Sequence, residues 1–127
     1  MVFPSPEFAD RCFQCLVGDT LALEPPLEIP GHGTFTSVTV AREMRSKTRP
    51  RWLEFKGPAG HAQFLLKRED LTREAVVMEL LQELNRRWRE KDVHFTGIPV
   101  QVRTFSILPI GATCGLVEVV PDCRTLE

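Results

Sequence analysis

Residues 34–40, TFTSVTV, alternate in polarity and are rich in β-branched side chains, which predicts a half-buried strand. Two further apolar runs, WLEF at 52–55 and AQFLLK at 62–67, flank Gly57, Pro58, Ala59 and Gly60, and predict a β-hairpin with a turn of four to six residues. Beyond Asp70, a suitable N-cap, the hydrophobic period lengthens to that of a helix through LTREAVVMELLQELNRRWREK. Val77, Leu81, Leu84 and Trp88 form one apolar stripe with Leu80 beside it, and such a stripe is expected to cover a sheet. Glu79, Glu83, Arg86, Arg87 and Glu90 take the solvated face, where charge pairs form at helical spacing, and Arg89 and Lys91 suit the C-terminus. Two more strands are predicted at 99–108, PVQVRTFSIL, and at 115–120, GLVEVV. The prolines at 4, 6, 25 and 26 make residues 1–26 an expected irregular lead-in. The element order then gives an α+β fold, about five antiparallel strands packed by one main helix.

Length and composition narrow this reading. With 127 residues, 43% of them hydrophobic, the chain suits one compact core. Sixteen basic residues against seventeen acidic ones give a formal charge of -1, so no global field draws the chain onto nucleic acid or an anionic membrane. Any phosphate recognition has to be local. The opening MVFPSPEF lacks the basic flank and apolar core of a leader, and no stretch reaches the roughly 18 apolar residues of a spanning helix. A location inside the cell, cytoplasmic or nuclear, is expected. Cys12 and Cys15 have the spacing of half a zinc site, but Cys114 and Cys123 do not supply a matching half, so no metal site is expected from them.

The chemistry concentrates at residues 64–74, FLLKREDLTRE, where Lys67 closes an apolar strand just ahead of an acid-rich helix start. An ammonium on a half-buried strand needs a partner or a route to water. Glu74, one turn into the helix, is the expected partner, and a strand lysine steered by a helix carboxylate is the arrangement that kinases use to hold nucleotide phosphates. The loop MRSKTRPR, with Ser46, Lys47, Thr48 and Arg49, reads by itself as a solvated basic turn.

Several segments in series carry a family resemblance: LEIPG at 27–31, SKTRPRWL at 46–53, GHAQFLLK at 60–67, EDL at 69–71 and GLVEVVPDCRTL at 115–126. Residues 27–127 resemble the N-terminal lobe of the phosphoinositide-kinase-related protein kinases, of the target-of-rapamycin group in particular. The resemblance implies a kinase-like lobe that binds ATP, with Mg2+ in a complete kinase, and transfers the γ-phosphate to protein Ser/Thr once a second lobe completes it. It also implies site roles. Ser46, Lys47, Thr48 and Arg49 would form the loop over the phosphates; Lys67 and Glu74 would be the catalytic pair; Glu69 would sit at the helix entry; Leu65 would wall the adenine pocket; Val117 would stand at the entrance of the hinge; and the backbone of Glu118, Val119 and Val120 would serve the adenine edge. Val119 stands where the target-of-rapamycin group has tryptophan, Phe105 where a tyrosine is usual, and the loop after Lys67 is one residue short. Such a lobe would need ATP and either a missing C-lobe or a protein partner over its open face, with no nucleic acid and no membrane insertion. Two alternatives stay open at this point, a phosphoinositide lipid kinase and a non-catalytic, pseudokinase-like interaction module.

Overall fold

The computed structural model describes residues 2–91, 94–95, 97–99 and 104–119. Helix α1 (Pro6–Gln14) opens the chain, followed by β1 (Thr20–Ile29), β2 (Gly33–Glu43), β3 (Arg51–Gly57), β4 (Gly60–Lys67), helix α2 (Thr72–Glu90), a short β5–β6 pair (His94–Phe95 and Ile98–Pro99), β7 (Ile107–Ile110) and β8 (Cys114–Glu118). The main sheet is antiparallel with order β1-β2-β3-β4-β8-β7. It therefore has six strands rather than five, and the architecture is α+β as expected.

Alternation along the central strands builds the interior. Val38, Val40, Leu53, Phe55, Phe64, Leu66 and Leu116 are fully buried on one face, where Phe55 meets Phe64 edge-on with ring centroids 5.7 Å apart. The sheet curls so that Leu23, Leu27 and Ile29 of β1 join the same cluster. Helix α1 closes it with Phe8, Ala9 and Cys12, the Phe8 ring lying 6.0 Å from that of Phe55.

The irregular lead-in expected for residues 1–26 is thus corrected. Ser5 caps α1 by accepting a hydrogen bond from the Phe8 amide, and Pro6 sits at the helix start, where a missing N–H costs nothing. Pro25 and Pro26 lie in β1, an edge strand whose register shifts between Ala22 and Leu27, so no ladder donor is lost from the sheet centre.

Three other expectations shift. The β3–β4 hairpin turns through Pro58 and Ala59 alone, because Gly57 pairs with Gly60, whose φ of 139° only glycine adopts readily. The strand expected over 99–108 is not continuous: Ile98–Pro99 belongs to the small pair, and β7 begins only at Ile107. Pro109 is tolerated in β7 because that strand is the other sheet edge. Finally, the α2 stripe does not cover the sheet. No residue of α2 is buried, and Val77, Leu80 and Leu84 face outward, Leu80 being 60% exposed. The core is already closed by α1 and the curled sheet, and among the described residues α2 packs mainly along the β7 edge, through the side bearing Ala75 and Met78.

Candidate functional site

Lys67 ends β4, and alternation puts its side chain on the same face as Leu65 and opposite to buried Leu66. Leu65 is directly opposed by Trp52 on one neighbour and Val117 on the other, and Val117 is in turn opposed by Ile107. Directly opposed residues share a sheet face, so the sheet brings Lys67 beside an apolar floor of Leu65, Val117 and Ile107. Lys67 pairs with Gly115, which places no side chain against it.

The carboxylate that reaches Lys67 is Glu69, with Nζ 3.7 Å from Oε1. Glu74 is exposed in the first turn of α2 and makes no ion pair among the described residues. The reason lies in the connection. Leu71 is buried and fixes the chain just before the helix, which leaves Glu69 on the Lys67 side. The two members of the pair are 32% and 42% exposed, so it contributes no more than about 1 kcal/mol and serves to orient the ammonium. Asp70 acts structurally: it accepts from the Thr72 hydroxyl at 2.7 Å and the Thr72 amide at 3.0 Å, and these bonds hold its carboxyl below the usual range. Helix α2 starts at Thr72, with Leu71 rather than Asp70 as its N-cap.

The turn at 46–49 joins β2 to β3 and is fully exposed. It is closed by the Met44 amide bonded to Pro50 O at 2.8 Å and the Arg49 amide bonded to Ser46 O at 3.0 Å. Lys47, Thr48 and Arg49 line a cavity of about 310 Å³ together with Phe13, Glu43, Arg51 and Arg68. Ser46 lines an adjoining hollow with Met44 and Arg45, which shares Glu43 and Arg49 with that cavity.

At the end of β8 the backbone is already engaged. The Glu118 amide donates to Ser106 O at 2.9 Å and the Val119 amide donates to Gln63 O at 3.0 Å, so neither is a spare donor for an adenine edge. Val120 lies outside the described residues. The Glu118 carboxylate is half-buried; its Oε1 accepts from the Ser106 amide at 2.9 Å, and its Oε2 lies 3.8 Å from His32 Nε2. His32 Nε2 is also 3.0 Å from Ser106 Oγ, and the His32 ring stands edge-on to Phe64.

No model of a known protein family matches the chain. Two individual proteins do. Over 82 residues, 64% of this chain, it is 32% identical to phosphatidylinositol 3-kinase piki-1 of Caenorhabditis elegans. Over 129 aligned positions, 87% of this chain, it is 34% identical to the serine/threonine-protein kinase TOR of Arabidopsis thaliana. The chain is related to the phosphoinositide-3-kinase-related kinases. It spans about 5% of the length of each of these two relatives.

In this kinase-related chain two features escape a reading of the sequence. The His32–Ser106–Glu118 cluster joins the β1–β2 turn to Ser106, 74 positions away, and to the end of β8, a separation that no local pattern signals. Both contacts to His32 fall on one nitrogen, Nε2, which makes the cluster a brace rather than a proton relay; a relay needs both ring nitrogens. The basic cavity beneath 46–49 also recruits Arg68 and Phe13, residues that no motif marks. Among the described residues no helix is long and apolar enough to cross a membrane.

Proposed function

We propose that this chain is the ATP-binding N-terminal lobe of a phosphoinositide-3-kinase-related kinase, with residues 27–127 as the lobe. What supports the reading best is the placement of Lys67, oriented by Glu69, beside the apolar floor of Leu65 and Val117 on one sheet face. An adenine ring lies on that floor, and the ammonium meets the phosphates as a charge-assisted donor. Glu69 takes the orienting role expected of Glu74. The turn at 46–49 covers the phosphates with the Ser46 and Thr48 hydroxyls and the Lys47 and Arg49 charges, and the adenine edge falls to the peptide at Val120.

The lobe binds and orients; it does not complete phosphoryl transfer. Near Lys67, the Glu69 carboxylate is committed to the ammonium and the Asp70 carboxylate to Thr72, so these residues do not fit a magnesium site. The acceptor hydroxyl and the metal ligands belong to residues outside these 127. With one relative named as a protein kinase and the other as a lipid kinase, transfer to protein Ser/Thr is the reading favoured by the LEIPG and SKTRP segments.

A second reading, a lobe kept for protein interaction after loss of the chemistry, is favoured by the outward-facing apolar residues of α2. Titration with a fluorescent ATP analogue separates the two. Saturable binding that falls about tenfold or more in Lys67→Met and several-fold in Glu69→Gln, with Glu74→Gln unchanged, is the expected result. A folded chain that binds no nucleotide leaves the interaction module.

A further inference from the structure

Residues 42–51 carry five cations, Arg42, Arg45, Lys47, Arg49 and Arg51, against one carboxylate, Glu43, within a chain of formal charge -1. The fold adds a sixth cation to this local excess. Arg68 follows Lys67 in sequence but serves another place: Lys67 turns to Glu69, whereas the Arg68 guanidinium lies over the Phe13 ring of α1, 4.1 Å from its centroid. The cavity of about 310 Å³ between α1 and the turn thus has four cations, Lys47, Arg49, Arg51 and Arg68, facing one carboxylate.

Glu43 is committed to Arg51 at 3.0 Å and stands 3.7 Å from Arg49. Lys47 and Arg68 have no carboxylate partner among the described residues. Stacking on Phe13 holds the Arg68 plane in place while leaving its N–H fork available, a prepared geometry for a phosphoryl oxygen pair. Arg51 is only 13% exposed and is fixed by its bonds to Glu43 and to the carbonyls of Cys12 and Cys15. Arg49 adopts φ 47°, a left-handed conformation that a long side chain rarely takes and that the Arg49–Ser46 turn bond sustains. Four like charges converging on a recess, two of them unpaired and one on a strained backbone, repel one another unless an anion fills the space.

We infer that this recess is a second ligand site, on the α1 side of the 46–49 turn and separate from Lys67, for a small molecule bearing several phosphate groups. A monoanion leaves most of the excess charge uncompensated. A nucleic acid strand is disfavoured because Phe13, the one aromatic ring at the recess, is covered by Arg68 and offers no face to a base. The inference shares the 46–49 turn with the nucleotide reading but does not rest on it.

The test is calorimetric titration of the chain with two probes, inositol hexakisphosphate and a hydrolysis-resistant ATP analogue, in wild type, Arg68→Ala, Lys47→Ala and Lys67→Met. The expected result is saturable binding of inositol hexakisphosphate that weakens about tenfold in Arg68→Ala and in Lys47→Ala and weakens as salt rises. Lys67→Met leaves that binding intact, and Arg68→Ala leaves binding of the ATP analogue intact. Arg68→Lys, which keeps charge without the planar fork, falls between wild type and Arg68→Ala. Absence of inositol hexakisphosphate binding overturns the inference, as does equal loss of both probes in Lys67→Met, which makes the recess part of one nucleotide site. Tight binding of a phosphoserine peptide with the small polyphosphate inert also overturns the assignment of ligand class. Loss of ATP-analogue binding alone, with the polyphosphate still bound, removes only the nucleotide reading.

Discussion

Arg51 and Glu43 oppose each other directly across β3 and β2, and Arg51 Nη2 donates to Glu43 Oε2 at 3.0 Å. The same guanidinium donates through Nη1 to the carbonyls of Cys12 and Cys15, at the C-terminal end of α1. One side chain thereby ties the first helix to the sheet and satisfies carbonyls that a helix terminus leaves without partners.

Arg51→Met keeps the stem but removes every donor, so a partly buried carboxylate and two carbonyls lose their partner at once. The expected loss is about 2 to 4 kcal/mol, read as a lower urea midpoint at unchanged m-value. Arg51→Lys recovers only part of it, because a single ammonium cannot span the three acceptors with fork geometry. Equal stability of wild type and Arg51→Met would show that α1 is held by Phe8, Ala9 and Cys12 alone.

Gly115 sits opposite Lys67, and a Cβ there would stand 2.6 Å from Leu71 Cδ1 and 3.1 Å from Leu108 O. Gly115→Ala therefore forces out Leu71, the buried residue that fixes the start of α2, at an expected cost of about 1 to 3 kcal/mol. Leu71→Ala is destabilising by itself through the cavity it leaves. The double substitution is expected to cost less than the sum of the two singles, since the smaller side chain admits the new methyl. Strict additivity in urea melts would place Leu71 away from Gly115.

The strands β2, β3 and β4 were legible because each alternates, with Val38, Val40, Leu53, Phe55, Phe64 and Leu66 on the buried side, whereas β8, buried at Cys114, Gly115 and Leu116 in succession, was legible as a short apolar run. Helix α1 was less so. Its nine residues are too few for a periodic signal, and Pro6 reads as a breaker unless Ser5 is seen as the cap that makes it a helix start. Strand β1 was hidden by Pro25 and Pro26, which only an edge strand tolerates, and edge position is a property of the whole sheet. At the site, Lys67 was legible as the charge closing an apolar strand, whereas Leu65 and Val117 came only with the family resemblance. The choice between Glu69 and Glu74 did not, because it depends on where Leu71 is buried and so on how the chain turns into α2.

The outer face of α2 offers a direct check on that geometry. Val77, Leu80 and Leu84 have the spacing of a core stripe, yet all are exposed, so Leu80→Gln is expected to change stability by less than about 0.5 kcal/mol. A truly buried leucine replaced by a polar residue would cost several times more. Sedimentation of the same variant should show equal or weaker self-association than wild type, since one exposed apolar side chain has been removed. A large drop in the thermal midpoint would mean that this face is covered.

Cys12 lies fully buried in α1, and burial pushes its thiol from the usual 9.0 up to about 12, with the neighbouring Cys15 acting in the same direction. Alkylation requires the thiolate, so at pH 8 the native chain should lose its half-buried Cys15 to iodoacetamide well before Cys12, which reacts only as the chain opens. The same shift sets a stability trend. The folded state binds the Cys12 proton more tightly than the unfolded state, so this contribution is fully present below pH 9.0 and is lost as pH rises from 9.0 to about 12. Comparing urea midpoints of wild type and Cys12→Ala across that range isolates it, because every other group is common to the two proteins. Wild type should fall more steeply than the variant, and parallel curves would mean that the Cys12 thiol is open to solvent.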